Sequence, residues 1–206
     1  MTGALRTATL IYREKRLARR IRRAVDVTIA LLLLLAVAPV ILVACAAILV
    51  EDGPPVFFRQ RRAGRFERTF VIYKLRTMKR AACGDEMSPA TVDDRRITPV
   101  GRLLRRTSID ELPQLFNVLR GEMSLIGPRP EMQSLVQRYE PWQHLRHLIA
   151  PGITCIWQTT CRSTVPLHRP EATALDLEYI ERASPLFDVA LLARTITSVL
   201  SQRGAF

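Results

Sequence analysis

The fold class this sequence predicts is helix-rich α+β: an N-terminal re-entrant membrane helix-hairpin carrying a small cytosol-facing domain that contains a short β-hairpin. Three observations predict it. An uncharged run of 24 residues extends from Val27 to Val50. Pro39 sits at the centre of that run. Beyond it, two short β-branched and aromatic runs give way to several stretches of helical periodicity. The length of 206 residues suits one aqueous domain plus a membrane element, and not two large domains.

The first segment, residues 1–23, carries eight Arg or Lys and one Glu, with Leu5, Leu10, Ile11, Leu17 and Ile21 among them. It reads as a basic interfacial helix on an anionic membrane surface, with a basic tail as the alternative for residues 1–12. The second segment, 24–50, is about 36 Å long as a helix at ~1.5 Å per residue, enough to reach across a bilayer core. Its flanks argue against a simple crossing. Nine basic against three acidic residues follow in 51–80, so the positive-inside rule places both ends on the cytoplasmic side. Proline removes a backbone donor and clashes with the preceding turn. The segment is therefore expected to break at Pro39 and return, and Asp26 to lie at headgroup depth within reach of Arg22 and Arg23.

The third segment, 51–206, is the aqueous domain. Strand-like runs at 56–58 and 69–73 are joined around Gly64. A polar loop covers 80–96. Helices are expected at 99–106 and 108–120, then a Gly/Pro-rich loop at 121–130. Helical patterns fill 131–140 and 142–149, and a short strand-like stretch falls at 153–158. Two more helices cover 170–183 and 185–201. On the last, Leu186, Val189, Leu192, Ile196 and Val199 recur at helical spacing; core packing is the default reading and docking on a membrane surface the sharper one.

The chain has 31 basic and 19 acidic residues, net +12, which points to anionic partners. Nucleic acid is not favoured, because the basic stretches lack aromatic interleaving and a reading helix. Cys45, Cys83, Cys155 and Cys161 fit neither a zinc ribbon nor a CxxC pair. His144 and His147, three apart with Glu140 nearby, make a metal trio conceivable, but surface or packing roles are the commoner fate of such residues.

The strongest constellation runs from Thr107 to Asn117. Leu112, Leu115, Phe116 and Leu119 mark an amphipathic helix, and Pro113 is tolerable only in its first turn. Asp110 and Glu111 then lie at the helix N-terminus. One reading is structural: Ser108-x-x-Glu111 is a capping box and Asp110 a good N-cap. The other is chemical. Adjacent carboxylates at a positive helix end stay ionised, face solvent, hold Mg²⁺ or attack phosphorus. Cations for phosphate surround them in sequence: Arg105 and Arg106 just before, Arg129 stiffened between Pro128 and Pro130, and Lys74 and Arg76 just after the second strand-like run, in Tyr73 to Met78.

These residues closely resemble the bacterial sugar transferase family, the monotopic polyprenyl-phosphate glycosyl-1-phosphate transferases. The matching stretches are Ile72 to Met78, Arg96 to Gly101, Leu104 to Asn117, Gly121 to Pro130 and Pro151 to Thr154, with Trp157-Gln158, Asp176-x-Glu178-Tyr179 and Arg203-Gly204-Ala205. The resemblance implies a single re-entrant membrane helix, a cytosolic active site at the bacterial inner membrane, and Mg²⁺. It implies that a UDP-sugar and undecaprenyl phosphate give undecaprenyl-diphospho-sugar and UMP. It makes Asp110 the nucleophile and Glu111 its metal-holding partner, and places Lys74, Arg105 and Arg129 at the nucleotide-sugar; Arg76 joins them as a substrate-binding cation. The chain departs from the family at Ala38-Pro39, where Ser-Pro is frequent, at Cys155 and Cys161, where glycine is commoner, and over Thr164 to Pro170. It looks like a minimal catalytic unit without the multi-span domain of larger relatives. A catalytically silent membrane scaffold is the alternative, but it predicts damage to the carboxylates or cations, and none is present. Nothing in the sequence decides the sugar or whether a homo-oligomer forms.

Overall fold

The computed structural model describes residues 16–80, 94–161, 164–167 and 169–200. The apolar positions Leu5, Leu10 and Ile11 of the basic segment, the polar loop around Cys83 and the terminal Arg203-Gly204-Ala205 lie outside the described residues. Among those described, one helix is long and apolar enough by length and composition to cross a membrane. This is α1, Arg16–Asp52.

The expected break at Pro39 does not appear: α1 runs through the proline as one continuous helix. Losing one amide donor removes one bond of the ladder, and 36 other residues carry the helix past it. One stripe of α1 faces the domain, with Asp26, Ala30, Ile41, Ala44 and Ile48 buried and Leu34 and Val37 half-buried between them. These positions recur every three or four residues, the spacing of one helical face. The rest of the helix leaves Leu32, Leu35, Leu42, Val43 and Val50 exposed. Such an apolar surface is stable only against lipid or another apolar face.

Both ends of α1 are fastened to the same domain. Asp26 does not pair with its neighbouring arginines. It is buried and accepts hydrogen bonds from the Ser124 hydroxyl (2.8 Å) and the Leu125 amide (3.3 Å). Arg23 donates to the carbonyls of Val118 and Leu119, two of the orphan acceptors at a helix C-terminus. Arg22 reaches Tyr179 and Asp188. At the far end, Glu51 accepts from the Val100 amide (2.9 Å) and Asp52 from the Arg80 amide (2.9 Å).

The expected hairpin is present. Strands β1 (Phe57–Ala63) and β2 (Thr69–Leu75) pair antiparallel, with Phe57 opposite Leu75 and Ala63 opposite Thr69. The link holds a 3₁₀ turn, Arg65–Glu67, in which Phe66 and Glu67 both have positive φ. Helix α2 (Pro99–Arg106) starts on the Thr98 hydroxyl, which accepts from the Gly101 amide. Gly101 is required by contact: a Cβ there would lie 2.0 Å from the Thr77 carbonyl oxygen.

The helix expected over 108–120 divides into a 3₁₀ turn, Ile109–Glu111, and α3 (Gln114–Arg120). The Gly/Pro loop contains β3 (Ser124–Ile126), parallel to β4 (Gly152–Thr154). The helical patterns of 131–140 and 142–149 yield only α4 (Gln133–Val136) and a 3₁₀ turn, Gln143–Leu148. Then come α5 (Ile156–Thr160), α6 (Pro170–Arg182) and α7 (Pro185–Leu200). The main core joins Ala30 of α1 to Phe70, Ile72, Leu115, Val118, Met123, Leu125, Ile126, Ile156, Tyr179 and Leu191. On α7 the apolar stripe divides: Leu186, Val189 and Ile196 are exposed, while Leu192 packs half-buried against the core beside the buried Leu191.

Candidate active site

Glu111 is held between two cations brought from different parts of the chain. Lys74, near the end of β2, donates its Nζ to Glu111 Oε1 at 2.9 Å. Arg129, from the loop after β3, bonds both carboxylate oxygens, with Nη1 to Oε2 at 3.2 Å and Nη2 to Oε1. This two-pronged geometry is the one a guanidinium makes with a carboxylate or a phosphate. Asp110 precedes Glu111 on the same 3₁₀ turn, and its charge favours the cationic forms of both Lys74 and Arg129.

The capping-box reading fails on geometry. Ser108 adopts a left-handed conformation (φ 57°) and makes no side-chain cap, and its amide donates to the Arg105 carbonyl instead. The expectation that the two acids face solvent is also corrected. They are 8% and 7% exposed, and the two cations close over Glu111.

Burial works against the charged Lys74 ammonium and, despite Glu111, lowers its pKa from the usual lysine value. For Arg129 burial also opposes charge, but the Glu111 carboxylate outweighs it and the guanidinium is held above its ordinary value.

The other two predicted cations are placed differently. Arg105, on α2, donates Nε to the Thr77 hydroxyl at 2.8 Å. Arg76, expected to bind substrate, is buried at the end of α1. It donates to the carbonyls of Asp52 (3.1 Å) and Gly53 (2.6 Å) and pairs with the Asp52 carboxylate at 3.2 Å. An arginine at a helix C-terminus satisfies orphan carbonyls there, which commits Arg76 to fastening the helix.

Several residues that position the site carried no assigned role in the sequence reading. Asn117 is fully buried; its Oδ1 accepts from the Tyr73 amide (3.2 Å) and its Nδ2 donates to the Val71 carbonyl and to Glu122 Oε2, both at 2.7 Å. It locks α3 to the strand that carries Lys74. Arg146 is buried and donates to the Arg129 carbonyl at 2.7 Å, to the Tyr139 hydroxyl at 2.6 Å, and pairs with Asp176 at 2.7 Å. Asp176 counters the burial of the Arg146 charge, whose pKa is raised. The Asp176-x-Glu178-Tyr179 stretch therefore acts through support: Asp176 holds Arg146, and Tyr179 bonds Asp188 and Arg22. The only signal for this was an unusual acid and tyrosine within an amphipathic helix.

The donor set of Asp110 and Glu111 is oxygen only, which suits a hard ion such as Mg²⁺. Glu111 is available to it to the extent that Lys74 and Arg129 exchange its oxygens for those of a substrate phosphate. Two adjacent acids beside cations of a kind that suits phosphate, on a domain fastened along an apolar helix, fit the class of membrane-associated proteins of phosphoryl-transfer type. The comparison with known proteins gives the family. The bacterial sugar transferase family model matches residues 17–202. The chain is 41% identical over 192 residues to a UDP-glucose:undecaprenyl-phosphate glucose-1-phosphate transferase of Caulobacter vibrioides, covering 90% of this chain and 72% of that one. It is 38% identical to the sugar transferase EpsL of Bacillus subtilis, covering 89% of each, and 34% identical to the exopolysaccharide production protein ExoY of Sinorhizobium fredii, covering 100% and 98%. The chain belongs to the bacterial sugar transferase family.

Proposed function

We propose that the protein transfers a sugar-1-phosphate from a UDP-sugar to undecaprenyl phosphate, releasing UMP, as the priming step of an exopolysaccharide, capsule, O-antigen or glycoconjugate. The observation that carries this reading is the clamp of Lys74 and Arg129 on Glu111 beside Asp110. The name of the Caulobacter relative supplies the substrate class.

In the proposed reaction the donor's diphosphate draws Lys74 and Arg129 from the Glu111 carboxylate. An oxygen of Asp110 attacks the phosphorus that bears the sugar. The bond from that phosphorus to the bridging oxygen breaks, and UMP leaves with the electron pair. A phosphate oxygen of the polyprenyl carrier then attacks the same phosphorus and returns Asp110 as a free carboxylate. Arg129 grips two oxygens at once and stabilises charge spread over them in the transition state. Asp110 and Glu111 would hold Mg²⁺, which offsets the negative charge of the diphosphate when bound.

We also propose a cytoplasm-facing active site on an unbroken helix that lies along one face of the bilayer, with both of its ends on the same side. Asp26 and Glu51 bond to the same domain from opposite ends of the apolar run, and both flanks are basic. A cleft of about 760 Å³ by the start of that run, lined by Arg19, Arg20, Arg23 and Arg65, offers charge to lipid phosphates. The exposed Leu186, Val189 and Ile196 would dock α7 on the same surface.

The test is UMP release by the purified full-length chain from a panel of UDP-sugars with Mg²⁺ and undecaprenyl phosphate. Asp110→Asn is expected to abolish turnover and the radiolabelled sugar-phosphate adduct on protein. Full turnover by that variant would exclude the nucleophile assignment, and no UMP from any donor would exclude the activity.

A further inference from the structure

The 3₁₀ geometry of residues 143–148 repeats every three residues, so His144 and His147 stack on one face of the turn. That face meets the β1–β2 link, which is docked there by Arg65 Nε on the Leu148 carbonyl at 3.2 Å. The link presents Glu67, and one donor atom from each of Glu67, His144 and His147 lies within 4.8 Å of the others. The acid in the trio is Glu67, 77 positions from His144 in sequence, and not the neighbouring Glu140.

Two contacts describe the trio as it stands. His144 Nδ1 is 2.5 Å from Glu67 Oε1, and His147 Nδ1 is 3.8 Å from the same oxygen. Donors bound tetrahedrally at ~2.0–2.1 Å from one ion lie about 3.3 Å apart. The observed pair of distances brackets that value, so a shift of less than an ångström in the Glu67 carboxylate equalises them.

The independent observation is His147. Its side chain is 7% exposed, and its Nδ1 is buried without a hydrogen bond although the His144 carbonyl is near. A buried ring nitrogen left unpaired is costly unless something fills its place. Glu67 and His144 remain 40% and 36% exposed in their side chains, which leaves a path from solvent.

We propose that Glu67, His144 and His147 form a binding site for a borderline transition-metal ion of the Zn²⁺ class, separate from the Asp110–Glu111 couple. Two imidazoles and one carboxylate select such an ion over Mg²⁺, which prefers oxygen donors. The ion would tie the hairpin link to the turn that contains Arg146, and Arg146 in turn holds the Arg129 backbone.

The test uses the full-length chain in detergent, stripped with EDTA and titrated with Co²⁺ and then Zn²⁺. Wild type is expected to take up one Co²⁺ per chain with visible ligand-field absorption, to release it to Zn²⁺ and not to excess Mg²⁺, and to gain thermal stability with Zn²⁺. Glu67→Gln, His144→Gln and His147→Gln should each weaken binding by about 10- to 100-fold. His144→Gln is the control against misfolding, since that side chain is partly exposed and its loss leaves the metal-free melting curve in place. Absent saturable uptake by wild type, undiminished uptake by folded His144→Gln, or absorption of thiolate type from the cysteines would each overturn the site.

Discussion

Arg129 and Glu111 meet side-on, guanidinium to carboxylate, with both oxygens of Glu111 engaged. The same fork fits two oxygens of a phosphate. The acid thus occupies, in the free protein, the grip that the donor's diphosphate would take. It keeps two cations from sitting uncompensated in a nearly closed site, where an unpaired buried charge is strongly destabilising.

Arg129→Lys preserves the charge and loses the fork. It is expected to lower kcat/KM for UMP release by roughly 10- to 100-fold, an effect of about 1.4–3 kcal/mol on transition-state binding. The melting temperature should change little, because Lys74 still neutralises Glu111. Steady-state kinetics alongside thermal denaturation check both halves.

Asn117→Ala leaves the Tyr73 amide and the Val71 carbonyl without their partner inside the core. Each such group costs about 1–3 kcal/mol, so a destabilisation of about 2–4 kcal/mol is expected, read by denaturant unfolding in detergent. Asn117→Asp keeps the acceptor but sets a second carboxylate 2.7 Å from where Glu122 Oε2 now accepts, and should be at least as damaging.

The one-sided helix can be tested in a cysteine-free background. Arg20→Cys and Phe57→Cys flank the apolar run at exposed positions. Both are expected to resist a membrane-impermeant thiol reagent in intact spheroplasts and to react after lysis. Labelling of one and not the other in intact cells would mean a full crossing.

His147 makes stability depend on acid. It lies among Arg146, Glu67, His144 and Tyr139. Its folded pKa of about 4 is below the unfolded value near 6.5. The unfolded chain takes up that proton first, so the stability is fully present above pH 6.5 and is lost as pH falls from there towards 4. The loss approaches about 3 kcal/mol. Melting in EDTA across this range should show a slope that His147→Gln flattens.

Much of this architecture was readable from local pattern. The β-hairpin, α2, α6 and α7 follow from the strand-like runs and the helical patterns, and the structure adds the Thr98 cap and the prolines at the helix starts. Residues 131–149 misled, because apolar periodicity without good helix ends around Pro141 was settled by packing into short turns. The apolar stripe of α7 stayed open between core and surface, since periodicity shows that a face exists and not which neighbour it meets.

At the site, Asp110, Glu111, Lys74 and Arg129 were marked by residue type and rigidity. Their grouping was not, since Lys74 and Arg129 lie 37 and 18 positions from Glu111. Arg76 reads in sequence like Lys74, two positions away, yet one closes on an acid and the other on a helix end.

By itself, then, the sequence determined the chemistry on offer: an uncharged helix with basic flanks, two adjacent acids, and stiff or strand-borne cations, because composition and short-range periodicity are local properties. Only the tertiary structure decided which cation meets which acid, which helical face is covered, and that Glu67 joins the two histidines. Those outcomes depend on long-range contacts and desolvation, and neither is written in the spacing along the chain.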